Sequence, residues 1–135
     1  MAEDCIFCKI VSGELPAHRV AEDEHTVSFM DINPWTKGHA LVIPRAHSRN
    51  LYEVDDKDLA HAARAAKQLA LRMRERFECD GINLLNACEA AAWQTVWHFH
   101  IHVIPRYEGD GLVPPTHPQG ADQGELAALA AELNQ

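Results

Sequence analysis

With 135 residues the chain can bury one sizeable core but not two, so a single domain over residues 1–135 is expected. Its 47% hydrophobic and 24% charged content is that of a globular protein, and no apolar run approaches the ~20 residues of a bilayer span. A formal net charge of −8 argues against coating nucleic acid, yet leaves room for a small phosphorylated ligand in a locally favourable site.

The first residues, Met1-Ala2-Glu3-Asp4-Cys5, carry neither a basic leader nor an apolar h-region, so a cytoplasmic location is expected. In that compartment the four cysteines read as thiols or metal ligands, not disulfides. Cys5-Ile6-Phe7-Cys8 opens a short knuckle, about residues 5–13, that Ser12-Gly13 ends. A C-x-x-C pair supplies two of the four thiolate or imidazole ligands of a tetrahedral zinc, and His47 and His98 are candidates to complete it. A redox pair and two buried thiols are the rival readings of the same motif.

Downstream, His18–Ala21 and Thr26–Met30 read as the strands of a hairpin about the acidic turn Glu22-Asp23-Glu24. Asp31-Ile32-Asn33-Pro34 breaks the pattern. Lys37-Gly38 then reads as a turn into an apolar strand, His39–Ile43, which Pro44 stops. From Asp55 to Phe77, apolar residues recur every three or four positions (Leu59, Ala62, Ala63, Ala66, Leu69, Ala70, Met73), the stripe of an amphipathic helix. Asp55 suits its N-cap, and Arg72, Arg74 and Arg76 complement its C-terminal dipole. Gly81–Leu85 reads as another strand. The Gly/Pro-rich stretch from Gly109 to Gly120 leads into a terminal helix, about Gln123–Leu133, within a tail spanning 109–135.

The chemistry concentrates in His98-Phe99-His100-Ile101-His102-Val103-Ile104. Alternation at a period of two predicts a strand with Phe99, Ile101 and Val103 facing a core. The three histidines would then stand in a row on the exposed opposite face, about 7 Å apart along the strand. Three imidazoles at such spacing offer nucleophiles, hydrogen-bond donors and metal ligands near neutral pH.

This run, H-φ-H-φ-H-φ-φ with φ apolar, resembles the signature of the histidine triad (HIT) nucleotide-binding proteins, in the branch that contains nucleoside phosphoramidases. The resemblance extends in order through Cys5–Ile10, Gly13-Glu14, Phe29–Pro34, Gly38-His39, Leu41–Arg45, Ala46-His47, Asn83, Asn86 and Gln94–Val96. It implies an α+β fold: a five-stranded antiparallel sheet with one long helix, at about 56–77, and a C-terminal helix. It implies a homodimer joined through the long helix and a sheet edge. It also implies that His100 attacks the α-phosphorus of a purine nucleotide and that His102 contacts the α-phosphate. His39 would lie near the catalytic proton network, although a hydrogen-bonded core histidine accounts for it as well. Phe29 and Ile32 match the walls of the base pocket, Asp31 the carboxylate that binds ribose hydroxyls, and Asn86 a position beside ribose and phosphate. Gln94 and Thr95 match residues that bond phosphate oxygens or the leaving group. In zinc-bearing relatives the metal is held by residues matching Cys5, Cys8, His47 and His98. With four protein ligands that zinc is closed, and so structural.

Two features depart from the family. Its glycine-rich loop before the glutamine is replaced by Ala87-Cys88-Glu89-Ala90-Ala91-Ala92-Trp93, with Trp93 at the last glycine position, so a bulkier, stiffer loop would shape the leaving-group side. Leu112-Val113-Pro114-Pro115 stands near the place of the family's tryptophan-proline tail. The expected activity is cleavage of nucleoside 5′-phosphoramidates through a nucleotidyl-histidine. Hydrolysis of dinucleoside polyphosphates and non-catalytic nucleotide binding are the alternatives. Arg106 reads as a surface salt-bridge residue, and Trp35 and Trp97 as packing or subunit-contact aromatics.

Overall fold

The computed structural model describes residues 4–135. Its five strands, β1 (Arg19–Glu22), β2 (Thr26–Met30), β3 (Ala40–Pro44), β4 (Gly81–Leu85) and β5 (Ile101–Arg106), form one antiparallel sheet in the order β1-β2-β3-β5-β4. Three helices accompany them: α1 (Ile6–Ser12), α2 (Asp56–Phe77) and α3 (Gln123–Leu133). The architecture is the α+β arrangement expected. Insertion of β5 between β3 and β4 places His102 mid-sheet, opposite Leu41 on one side and Leu85 on the other.

Helix α2 starts where the Asp55 carboxylate accepts from the Lys57 N–H at 2.8 Å, which satisfies one of the free amides of the first turn. Its stripe of Ala62, Ala66, Leu69 and Met73 is buried against Ala40, Val42, Phe99, Ile101 and Val103. Each large side chain taken from water there contributes about 1.5–3 kcal/mol, and the small alanines let the helix approach the sheet closely. Gly38, at φ +95°, makes the turn before β3 with Phe77 against it; a Cβ there would stand 2.4 Å from the ring.

The opposite face of the sheet is covered as well. The knuckle is a helix, α1: the Cys5 sulfur caps it by accepting from the Cys8 N–H at 3.3 Å, and Gly13 ends it at φ 85°. Phe7, Cys8 and Ile10 of α1 bury against Val27, Phe29, Leu41 and Ile43. This layer corrects the expectation of an exposed histidine face, because His98 and His100 lie beneath it at 0% and 5% exposure. The ladder also begins later than the alternation suggests, at Ile101 instead of His98. The Phe99 N–H bonds the Ser48 carbonyl in the loop after β3, at 2.9 Å, and so leaves the sheet. Pro44 ends β3 from within it, paired with Thr26.

Helix α3 is capped by Asp122 but buries no side chain. Among the described residues no helix is long and apolar enough to cross a membrane.

Candidate functional site

Two neighbouring constellations grow from the segment His98–His102. The first gathers Cys5 and Cys8 of the α1 start, His47 of the loop after β3, and His98. The Nδ1 of His98 lies 3.4 Å from the Cys5 sulfur, 3.6 Å from the Cys8 sulfur and 3.3 Å from the Nδ1 of His47; the Cys8 sulfur is 3.4 Å from that same His47 nitrogen. A tetrahedral zinc with Zn–S of about 2.3 Å and Zn–N of about 2.05 Å requires S···N separations of about 3.5 Å and N···N of about 3.3 Å. The four donors therefore fit such an ion. The other ring nitrogen of His98 donates to the Pro44 carbonyl at 2.8 Å, which turns the Nδ1 lone pair toward the cluster. Burial pushes the His98 pKa down to about 4, so the imidazole is neutral, the form that ligates metal.

The second constellation comprises His39, His100 and His102. The Nδ1–H of His100 donates to the His98 carbonyl at 2.7 Å, so its Nε2 carries the lone pair. Burial holds His100 below the ordinary histidine range. His39 accepts from the Trp35 N–H at Nδ1, 3.0 Å away, so the proton of its neutral ring sits on Nε2, which donates to His102 Nδ1 at 2.9 Å. That leaves His102 with its own N–H on Nε2. Burial, then the neighbouring His100 and His39, bring the His102 pKa down to about 4. Both rings are thus neutral at pH 7 but oppositely poised: His100 as a base or nucleophile, His102 as a donor.

Both open onto a pocket of about 500 Å³. Phe29, Ile32 and Ile10 are among its apolar lining residues, and Asp31, Thr95 and Trp93 line it as well. Among the described residues no lysine or arginine lines it. Two aromatics that the sequence did not assign to the pocket belong to it, one of them Trp35, which was expected to be a packing or subunit-contact residue. Phe7 meets the His100 ring edge-on with centroids 5.1 Å apart, and Trp35 stacks on His102 at 6.1 Å and 17°. Nothing in their local sequence signals this, since each approaches the histidines from a distant segment.

Other sequence-predicted residues do not converge there. Gln94 is 4% exposed and its amide is fully engaged: Nε2 donates to the carbonyls of Arg49 and Val96, at 2.8 and 3.0 Å, and Oε1 accepts from Glu89 N and Asn50 Nδ2, at 2.8 and 3.2 Å. It tethers the 87–93 loop instead of facing a phosphate. Asn86 donates to the His100 carbonyl at 2.8 Å, and its buried Oδ1 has no partner among the described residues. The loop keeps the backbone shape that glycine would adopt freely: Trp93 sits at φ 79° and Glu89 at φ 75°. Its Glu89 is pinned by Arg49 and Asn50. Arg106 is held by Asp110, at 2.7 and 2.9 Å, and does not serve the pocket.

Fold and histidine geometry together define a histidine triad site, and comparison with known proteins agrees. The family model described as HIT domain matches residues 12–109; the chain belongs to the HIT family. It is 42% identical over 135 residues to the protein hit of Bacillus subtilis (strain 168), spanning 98% of this chain and 93% of that one. It is 38% identical over 130 residues to the adenosine 5′-monophosphoramidase of Saccharomyces cerevisiae, spanning 96% and 80% of the two chains. Among solved structures, a protein from Streptococcus mutans UA159 superposes with a TM-score of 0.94 at 36% identity, over 99% of this chain and 85% of that one. A zinc-bound histidine triad family protein from Mycobacterium smegmatis superposes with a TM-score of 0.78 at 39% identity, over 97% and 96%.

Proposed function

We propose that the protein is a nucleotide hydrolase that cleaves purine nucleoside 5′-phosphoramidates at the α-phosphorus through a nucleotidyl intermediate on His100. The observation that carries this reading is the His100 tautomer: a proton locked on the His98 carbonyl side and a lone pair on Nε2, beside the His102 N–H donor. The similarity to the yeast adenosine 5′-monophosphoramidase supports it.

In this mechanism the base lies between Phe29 and Ile32, and Asp31 receives the ribose hydroxyls. His102 Nε2–H and the Thr95 hydroxyl donate to non-bridging phosphate oxygens. The His100 Nε2 lone pair forms the N–P bond while the P–N bond of the substrate breaks. The substrate nitrogen, protonated before attack, keeps that electron pair and departs as the neutral amine or ammonia. As the His100 ring gains positive charge, the His98 carbonyl stabilises it through the Nδ1–H. Water then attacks the same phosphorus, releasing the nucleoside monophosphate and restoring His100. Catalysis rests on positioning and on donors aimed at charge that develops in the transition state. A singly charged phosphoramidate suits a pocket walled without lysine or arginine, whereas a polyphosphate leaving group would require cations to stabilise it.

Zinc on Cys5, Cys8, His47 and His98 would tie α1 to the triad segment and supply no open coordination position for chemistry. The solved zinc-bound relative supports that choice of metal. A homodimer through α2 and the free edge of β4 is part of the same reading, supported by the half-exposed Leu71, Phe77 and Leu84 on those elements. Sedimentation as a monomer at micromolar concentration would remove the dimer.

The test is turnover of adenosine 5′-phosphoramidate beside diadenosine polyphosphate, with His100→Ala as the control. The wild type should favour the phosphoramidate in kcat/KM, and the variant should lose about 10²–10⁴-fold or more while still binding adenosine monophosphate. Near-wild-type turnover by His100→Ala would turn the conclusion to nucleotide binding without catalysis.

A further inference from the structure

Asp31 has a second set of neighbours that ribose recognition leaves unused. Its Oδ1 accepts from the Asn33 N–H at 2.7 Å, which fixes the turn after β2. Its Oδ2 then stands 3.5 Å from His39 Nε2 and 3.9 Å from His102 Nδ1, astride the hydrogen bond that joins those rings. These three groups do not suit a shared metal. The 2.9 Å between the imidazole nitrogens is a hydrogen-bond length, shorter than the about 3.3 Å that two nitrogens keep around one zinc.

Proton accounting along the chain of rings gives Oδ2 a role. With both histidines neutral, the Trp35 N–H has His39 Nδ1 and the His39 Nε2–H has His102 Nδ1 as acceptors, and the His102 Nε2–H is left for a ligand of the pocket that His102 lines. A further proton on His102 can go only to Nδ1, where it confronts the His39 Nε2–H donor to donor. His39 cannot yield by shifting its own proton to Nδ1, because the Trp35 N–H occupies that nitrogen. The pair then needs an acceptor beside it, and Asp31 Oδ2 is placed for both N–H groups. The remaining titratable neighbour of His102 is His100, on the same segment; Leu41 and Leu85 flank it across the sheet, and Trp35 covers its face.

We propose that Asp31 is a positioning residue for the His39–His102 pair, the acceptor and counter-charge that lets the pair hold an added proton when an anionic phosphate enters. This deepens the reading of His102 as the phosphate donor and rests on it. One carboxylate would thereby serve both the nucleoside and the phosphate end of the site, so ribose and phosphate binding would be energetically linked. The direction of the Asp31 influence, raising the proton affinity of His39 and His102, agrees with this.

The experiment compares wild type with Asp31→Asn and Asp31→Ala by following the ¹⁵N ring signals of His39 and His102 from pH 7.5 to pH 4 without nucleotide. Asparagine keeps an oxygen for the Asn33 N–H, so the turn is retained, and alanine removes the group altogether. The charged fraction of the pair at pH 4.5 should fall at least threefold in both variants. Histidine titrations that superpose on the wild type would overturn the proposal, and this readout stands whether or not the protein hydrolyses phosphoramidates. In parallel, calorimetry uses adenosine 5′-sulfate, whose single charge is constant over the range, and its 2′,3′-dideoxy form. Wild-type affinity should rise at least threefold from pH 8 to pH 5 for both probes, and Asp31→Asn should flatten that rise for both. A variant that loses affinity equally at every pH, and only for the probe with ribose hydroxyls, would reduce Asp31 to a ribose ligand and refute the positioning role.

Discussion

Replacing Gln94 by alanine separates a loop tether from a phosphate ligand. The side chain is 4% exposed and makes four hydrogen bonds, two donated to Arg49 O and Val96 O and two accepted from Glu89 N and Asn50 Nδ2. Asn50 retains Glu89 as a partner, but the Glu89 amide and the two carbonyls lose theirs. At a net ~1 kcal/mol per bond, with a further penalty for each buried group left unpaired, Gln94→Ala should cost about 3–4 kcal/mol. For a chain of this size that is a fall of about 10–15 °C in Tm. Turnover below the new transition should fall mainly because the loop carrying Trp93 loosens, with KM changing along with kcat. Urea unfolding with a constant m-value and steady-state kinetics at 15 °C measure the two effects. Stability within 1 kcal/mol of wild type, with kcat alone reduced a hundredfold, would show that Gln94 acts on the phosphate and that the tether argument is wrong.

Metal removal should act on folding before chemistry: stripping the Cys5–Cys8–His47–His98 cluster with a strong chelator should lower Tm by more than 10 °C and release about one zinc per chain by elemental analysis. Unchanged Tm, or protein purified with no zinc, would contradict it. One share of the pH dependence of stability comes from His102, whose pKa burial lowers from 6.5 to about 4 in the folded chain. Above pH 6.5 the ring is neutral in both states and contributes no slope. As pH falls from 6.5 toward 4, the unfolded chain takes up a proton that the folded chain refuses, so stability declines by up to about 3 kcal/mol. His102→Gln should flatten that decline in urea titrations at pH 7 and 5, and an unaltered slope would dismiss the assignment. Gly38→Ala should destabilise by about 2–4 kcal/mol in equilibrium unfolding, because it adds a Cβ 2.4 Å from Phe77 to a backbone at φ +95°. A loss under 0.5 kcal/mol would mean that the turn rearranges freely.

Periodicity and local chemistry determined much of this protein without any tertiary information. The stripe from Leu59 to Phe77 and its Asp55 cap define α2 because a helix repeats every 3.6 residues and its ends require capping. The triad spacing, the C-x-x-C pair and the motifs around them named the family, and with it the strand count and the candidates His39, His47, His98 and His100. Contacts between distant segments decided the rest. Whether the histidine face meets water depends on α1 folding back over it, and alternation along one strand is the same whether its polar side is wet or covered. Gln94 turns to its loop and not to the pocket because Arg49 and Val96 present carbonyls to it, an event of long-range geometry. The protons on His39, His100 and His102 are likewise set by the Trp35 amide and the His98 carbonyl. A residue type carries two possible tautomers; only its hydrogen-bond partners, brought together by the fold, choose between them.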